Sequence, residues 1–170
     1  MENVFGVTKG SGLLKIAIII DPWERDLINH LLFFVSFKRK VFRNIKNFVM
    51  EKDIDYVIVA SYDNIPVDKI VLSIPNKKIF TTKLEDVLSI IREKDIKEIF
   101  MCGFAWDKCV KYRELGYLNL HKNTNVDILV KNDCVAHDEV YPKVPNRFFT
   151  PSENPDWRAT PETGIFRYEP

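Results

Sequence analysis

Lys97-Glu-Ile-Phe-Met-Cys-Gly103-Phe-Ala-Trp-Asp-Lys-Cys109-Val-Lys-Tyr-Arg-Glu-Leu-Gly116 is the stretch on which the fold turns. Ile99 to Cys102 is a short apolar run, the pattern of a strand buried on both faces. Gly103 breaks it. Asp107 suits the N-cap or first turn of a following helix, and Gly116 suits its C′ stop. Cys109 then falls in the first turn, where unpaired N–H groups and the positive end of the helix dipole stabilise a thiolate. Lys108 and Lys111 add positive charge there and Asp107 opposes it. A small, buried, unreactive cysteine satisfies the same local pattern.

Working outward, Leu13 to Ile20 (Leu-Leu-Lys-Ile-Ala-Ile-Ile-Ile) is rich in β-branched residues and reads as a central strand. Asp21-Pro22 ends it. A carboxylate at the carboxyl end of a central parallel strand lies where open α/β sheets place their active sites, and the same aspartate also suits a turn before proline. In Phe37 to Lys52, Phe37, Val41, Ile45, Phe48 and Val49 make one helical stripe. Lys38, Arg39, Lys40, Arg43 and Lys46 read as its solvated face. Asp55 to Ala60 is a second strand, and Asp68 to Ile74 is expected to be an edge strand closed by Pro75. Thr82 and Glu85 have capping-box spacing, ahead of a helix that runs to about Glu93. Asn119 to Asn125 reads as a loop and Val126 to Val130 as a strand. This alternation predicts a three-layer α/β/α, Rossmann-like domain with a mostly parallel sheet. A strand order of 3-2-1-4-5 would make strands 1 and 4 neighbours at the switch point, bringing Asp21 and Cys109 to one crevice.

Gly103-Phe-Ala-Trp-Asp-Lys-Cys109-Val110 resembles the Gly-Val/Ile-Ala-Thr-Asp-x-Cys-Val signature of the isochorismatase-like cysteine hydrolases, the group that includes nicotinamidases. The resemblance covers roughly residues 14 to 140. It implies that Cys109 is the nucleophile, that Asp21 is its base, and that a lysine completes the triad. Phe80, Thr82 and Leu84 echo the family's Phe-x-x-Thr-x-Leu, so that lysine would be Lys77 or Lys78. The turn at Phe104 and Ala105 would carry the family's cis peptide and help form an oxyanion hole. Trp23 and Trp106 would line the substrate pocket. Asn132-Asp-Cys-Val-Ala-His137 resembles the segment that closes over the family's site. Ser61-Tyr-Asp-Asn-Ile-Pro66 stands where metal-binding nicotinamidases show Thr-Arg-Asp-Trp-His-Pro. Asp63 matches, but Asn64 and Ile65 replace the tryptophan and the histidine ligand. A single carboxylate is a poor transition-metal site, so no bound metal and no cofactor are expected. Trp106 also departs from the pattern, being bulky where the signature has threonine.

The 170 residues suit one domain with a real core. The net charge of +1 shows no basic stripe, which argues against nucleic acid. The longest apolar stretch, Leu27 to Phe37, is too short to cross a bilayer. Three cysteines in a chain without a signal peptide favour a reducing, cytoplasmic setting. Cys102 and Cys134 read as packing residues, and His30, His121 and His137 are scattered. The isochorismatase-like domain is expected to span residues 1–140, with 1–12 a flexible arm. Residues 141–170 hold Pro142, Pro145, Pro151, Pro155, Pro161 and Pro170 among aromatics. They are expected to form an extended arm packed on this domain or on a neighbouring subunit in a homo-oligomer. The expected function is hydrolysis of a small amide. The alternatives are an inactive scaffold that assembles through its arm, and a module that stacks an aromatic ligand on Trp23 or Trp106.

Overall fold

A computed structural model of the chain describes residues 13–24, 32–62, 65–104, 109–135, 157–160 and 165–168. In chain order the elements are β1 (Lys15–Ile20), α1 (Leu32–Glu51), β2 (Tyr56–Ala60), α2 (Lys69–Leu72), β3 (Lys77–Phe80), α3 (Leu84–Lys94), β4 (Glu98–Gly103), α4 (Tyr117–Asn123), β5 (Asp127–Val135), β6 (Trp157–Thr160) and β7 (Ile165–Tyr168). They build one seven-stranded sheet of order β3-β2-β1-β4-β5-β7-β6. The first five strands are parallel. β7 and β6 add antiparallel beyond β5, so part of the proline-rich terminal stretch is built into the sheet.

β1 shows why the sheet is central to the molecule. Its alternate residues serve two separate cores, as the pleat requires. Ile16, Ile18 and Ile20 face the layer of α3 and α4, packing with Val87, Ile91, Tyr117 and Leu120. Ala17 and Ile19 face the layer of α1 and α2, packing with Val41, Phe42, Ile45, Phe48 and Val71. Burying one such isoleucine stabilises by about 1.5–3 kcal/mol, which is why a continuous apolar run marks this strand. α1 and α3 lie on opposite faces because the chain moves outward from β1 to β2 and β3, then crosses back to β4, with right-handed connections both ways.

The expected three-layer, mostly parallel fold and the order 3-2-1-4-5 are present, with one strand reassigned. Residues 68–74 are not the edge strand. Asp68 caps a helical turn by accepting from the Ile70 N–H at 2.8 Å, and Lys69–Leu72 is α2. The edge strand is Lys77–Phe80, too short and too polar to announce itself. The capping box is also absent. Lys83 is the N-cap of α3 without a side-chain bond, and the Leu84 N–H donates instead to Glu114 Oε1 at 2.9 Å. Lys38 departs from the solvated face of α1. It is 5% exposed, and its Nζ lies 5.7 Å from the centre of the Phe42 ring.

β4 and β5 are paired with a shift. Met101 faces Val130, but Gly103 faces Val135, so β5 carries extra residues opposite Cys102. Asn44 of α1 steadies this bulge by donating to the Asp133 carbonyl at 3.0 Å. Cys102 and Cys134 lie buried together beneath α1. Burial and the neighbouring Cys102 push the Cys134 thiol well above its usual range, consistent with the packing role.

Candidate active site

Three adjacent strands end level with one another. Ile20 of β1 pairs with Ala60 of β2 on one side and with Gly103 of β4 on the other. The residues just past these ends are Asp21, Ser61 and Phe104. This is the switch point of the sheet, where crossovers diverge and leave a crevice at the carboxyl ends.

Asp21 is held there in a left-handed conformation, φ 49°, which aspartate tolerates better than most residues but not without strain. Backbone bonds enforce it. The Asp21 N–H donates to the Ala60 carbonyl at 2.8 Å, and the Trp23 N–H donates to the Asp21 carbonyl at 2.8 Å. The residue is 1% exposed. Its Oδ1 accepts from the Tyr62 backbone N–H at 3.0 Å, and its Oδ2 from Arg113 Nε at 3.2 Å. The Cys109 side chain reaches it as well and favours its ionised form. Burial pushes the carboxyl above its usual value, against the opposing effects of Cys109, the Tyr62 N–H and Arg113.

Gly103 makes the turn towards Cys109. Its φ is 120°, and an added Cβ would lie 2.1 Å from the Ile20 carbonyl oxygen. That carbonyl accepts from the Phe104 N–H at 3.1 Å. The Phe104 ring packs edge-on against Phe42 at 5.6 Å, on the α1 face and away from Asp21. Ala105, Trp106, Asp107 and Lys108 lie outside the described residues. Cys109 is half-buried against the α3/α4 core and lies in a helical turn wound π-fashion at Cys109 and Val110. Such windings are frequent at functional sites. The turn does not continue to Gly116 as expected. Gly116 is instead the N-cap of α4, pressed so closely on the preceding turn that a Cβ would meet the Arg113 oxygen at 2.8 Å. α4 therefore occupies what reads in the sequence as a polar loop.

Arg113 and Tyr62 complete the site, and neither is singled out by the sequence patterns. The Arg113 N–H donates to the Cys109 carbonyl at 3.1 Å, so thiol and cation are one turn apart on one helical face. That four-residue spacing is the one signal in the sequence that could have pointed to Arg113. Its guanidinium lies 4.7 Å over the Tyr62 ring. The Tyr62 hydroxyl accepts from the Leu115 N–H at 3.0 Å and donates to the Thr82 carbonyl at 3.1 Å. Burial raises its phenol pKa. Trp23 is half-buried beside this group, its Nε1 donating to the Tyr62 carbonyl at 3.1 Å.

The structure thus brings Asp21, Cys109 and Trp23 to one end of the sheet but does not bring Lys77 or Lys78. Both sit at the start of β3, opposite the first residues of β2. Lys77 Nζ lies 5.9 Å from the Tyr56 ring centre, and Lys78 Nζ donates to the Ile74 and Asn76 carbonyls. Parallel pairing places the start of β3 at the amino end of the sheet, a strand length from Asp21, so among the described residues the cation beside the carboxylate is Arg113. Asp63 and Asn64 lie outside the described residues. Ile65 offers no side-chain donor, so this loop does not fit the family's metal. Among the described residues no three His, Cys, Asp or Glu side chains gather as a metal site, and no helix is long and apolar enough to cross a membrane.

No family model matches the sequence, and no curated protein matches it. Two solved structures do match the fold. The nicotinamidase PncA from Bacillus subtilis superposes with a TM-score of 0.52 at 17% identity, over 74% of this chain and 87% of that one. The N-carbamoylsarcosine amidase from Thermoplasma acidophilum superposes with a TM-score of 0.53 at 14% identity, over 79% of this chain and 88% of that one. Both have the isochorismatase-like α/β fold, and this chain shares it.

Proposed function

We propose that this chain, as a divergent isochorismatase-like protein, hydrolyses the C–N bond of a small amide through a Cys109 thiolate. The observation that carries the reading is the meeting of Cys109 and the buried Asp21 carboxylate at the switch point, close enough for the thiol to favour the ionised carboxyl. The names of both structural neighbours, a nicotinamidase and an amidase, support an amide substrate.

In this mechanism Asp21 takes the proton from Cys109 Sγ, and the thiolate attacks the amide carbonyl carbon. The backbone N–H of Cys109 helps to hold the developing oxyanion, as the family resemblance implies for this turn. Asp21 returns the proton to the leaving nitrogen, the C–N bond breaks, and a thioester remains. Asp21 then takes a proton from water, hydroxide attacks the thioester, and the acid leaves as Cys109 recovers its proton. A carboxyl raised by burial suits this relay, because its proton affinity lies nearer to that of a thiol than an exposed carboxyl's does. Trp23 bounds the pocket on the side of Tyr62.

Ammonia release from a panel of small primary amides tests the reading, with Cys109→Ser and Asp21→Asn as controls. Iodoacetamide labelling mapped by mass spectrometry accompanies it. Cys109 is expected to label faster than Cys102 and Cys134 near neutral pH, with a profile altered by Asp21→Asn. Labelling of Cys109 no faster than that of the two buried cysteines defeats the hydrolase reading and leaves the fold as a scaffold.

A further inference from the structure

Among the described residues, the charged and titratable groups against Asp21 are few. Cys109 and Arg113 come from the helical turn after β4, and Tyr62 comes from the end of β2. Glu114 acts one step away, through Tyr62. Only Arg113 brings a positive charge.

We propose that Arg113 is the positioning cation of this site: its guanidinium, seated 4.7 Å over the Tyr62 ring with Nε 3.2 Å from Asp21 Oδ2, keeps the carboxylate ionised and directed at Cys109. The inference rests on the hydrolase reading above and names a role that the resemblance would give to a lysine from another element. Three features support it. The Asp21 side chain is fully covered and that of Arg113 is 31% exposed, so the arginine reaches in from the rim. The Tyr62 hydroxyl is fastened at both ends, to Leu115 and to Thr82, which fixes the platform under the guanidinium. The one-turn spacing from Cys109 makes any movement of the nucleophile a movement of its counter-charge.

Arginine also differs from lysine in chemistry. A guanidinium stays protonated throughout the accessible pH range and donates from a planar fork. Arg113 therefore neither gives nor takes a proton in the cycle. All proton traffic between Cys109, the leaving nitrogen and water runs through Asp21, and Arg113 lowers the cost of carrying negative charge on the Asp21–Cys109 pair.

The test is the pH profile of Cys109 alkylation by iodoacetamide in wild type, Arg113→Met, Arg113→Gln and Arg113→Lys, with Cys102 and Cys134 as internal monitors of folding. Loss of the charge is expected to move the Cys109 midpoint upward by about one to three pH units, the range over which an adjacent opposite charge acts. Arg113→Lys is expected to recover more than half of that shift. Arg113→Gln preserves hydrogen bonding without charge, so it separates charge from packing. Met and Gln profiles that superimpose on wild type overturn the inference, as does a lysine that restores nothing. Labelling of all three cysteines in both neutral variants marks Arg113 as a structural strut and overturns it too. The two readings fail separately. Fast wild-type labelling that Asp21→Asn alters but the arginine variants do not removes only the role of Arg113. Wild-type Cys109 no faster than the buried cysteines removes the hydrolase reading itself.

Discussion

Gly103→Ala is the substitution that most directly probes how the fold builds this site. Gly103 closes β4 at φ 120°, in a region essentially reserved for glycine, where another residue costs about 1–3 kcal/mol. The new Cβ would lie 2.1 Å from the Ile20 oxygen, 2.8 Å from its nitrogen and 2.9 Å from its carbonyl carbon. All three atoms are main chain in the central strand, so no side-chain rotation relieves the overlap. The carbonyl would have to retreat by roughly 1 Å, which a close-packed interior resists, at a further cost of about 1–3 kcal/mol. Alanine returns about 0.4–1 kcal/mol by restricting the unfolded chain. The net expectation is a loss of roughly 1–5 kcal/mol, a large share of the about 5–15 kcal/mol typical of a domain. Urea unfolding followed by far-ultraviolet circular dichroism measures it, as a lower midpoint at unchanged slope. The displaced carbonyl is also the acceptor for the Phe104 N–H, so Cys109 alkylation should slow in molecules that remain folded. A loss below about 1 kcal/mol would refute the argument that this junction is sterically closed.

Four further substitutions follow from the same geometry. Tyr62→Phe removes the hydroxyl shared by the Leu115 N–H and the Thr82 carbonyl and is expected to cost about 1–3 kcal/mol, read by urea unfolding; no measurable loss would mean that these groups find other partners. Asp21→Asn should change the pH dependence of stability. The folded carboxyl titrates above its ordinary value of 3.8, so between the two values the folded chain binds more protons than the unfolded one, and wild-type stability rises as the pH falls through that window. The amide lacks this gain, so the variant's stability relative to wild type should decline with falling pH, and a pH-independent difference or the opposite slope would contradict the assigned burial. Lys77→Ala and Lys78→Ala should leave the Cys109 alkylation profile superimposable on wild type, because both ammonium groups are engaged at the amino end of the sheet; a shift in either would return that lysine to the site.

The sequence was most legible where burial acts on long elements. The unbroken run before Asp21 can only be satisfied by apolar layers on both faces, and the stripe of α1 has one face to hide. Ile70, Val71, Leu72 and Ile74 look equally strand-like, yet Asp68 caps them into α2. A capping bond between near neighbours outweighs propensity over so short a segment. Lys77-Lys-Ile-Phe80 was hidden for the opposite reason, since an edge strand needs few apolar residues to pair on one side. At the site, Asp21 and Cys109 were visible because strand ends and the glycine turn mark their places. Arg113 and Tyr62 were not, because an arginine in a charged helix and a tyrosine after a strand are ordinary in isolation. Their significance lies in contacts between β2 and the turn after β4, which strand order alone does not specify.

The source of the positive charge bears on how the site holds together. A lysine on β3 would reach Asp21 from the far side of β2 and would be independent of the segment that carries Cys109. Arg113 instead shares a helical turn with Cys109, and the same short segment provides Leu115 to anchor the Tyr62 hydroxyl and Glu114 to cap α3 through the Leu84 N–H. Residues 109–115 thus make contacts to β1, to the end of β2 and to the start of α3 within seven positions. Displacing this turn would separate the thiol from the carboxylate, break the guanidinium–carboxylate bond and remove the aromatic platform together. Substitutions within such a unit are expected to be strongly non-additive. Arg113→Met combined with Tyr62→Phe should therefore perturb the Cys109 profile little more than Arg113→Met does alone, since the platform acts on the thiol through the guanidinium it carries.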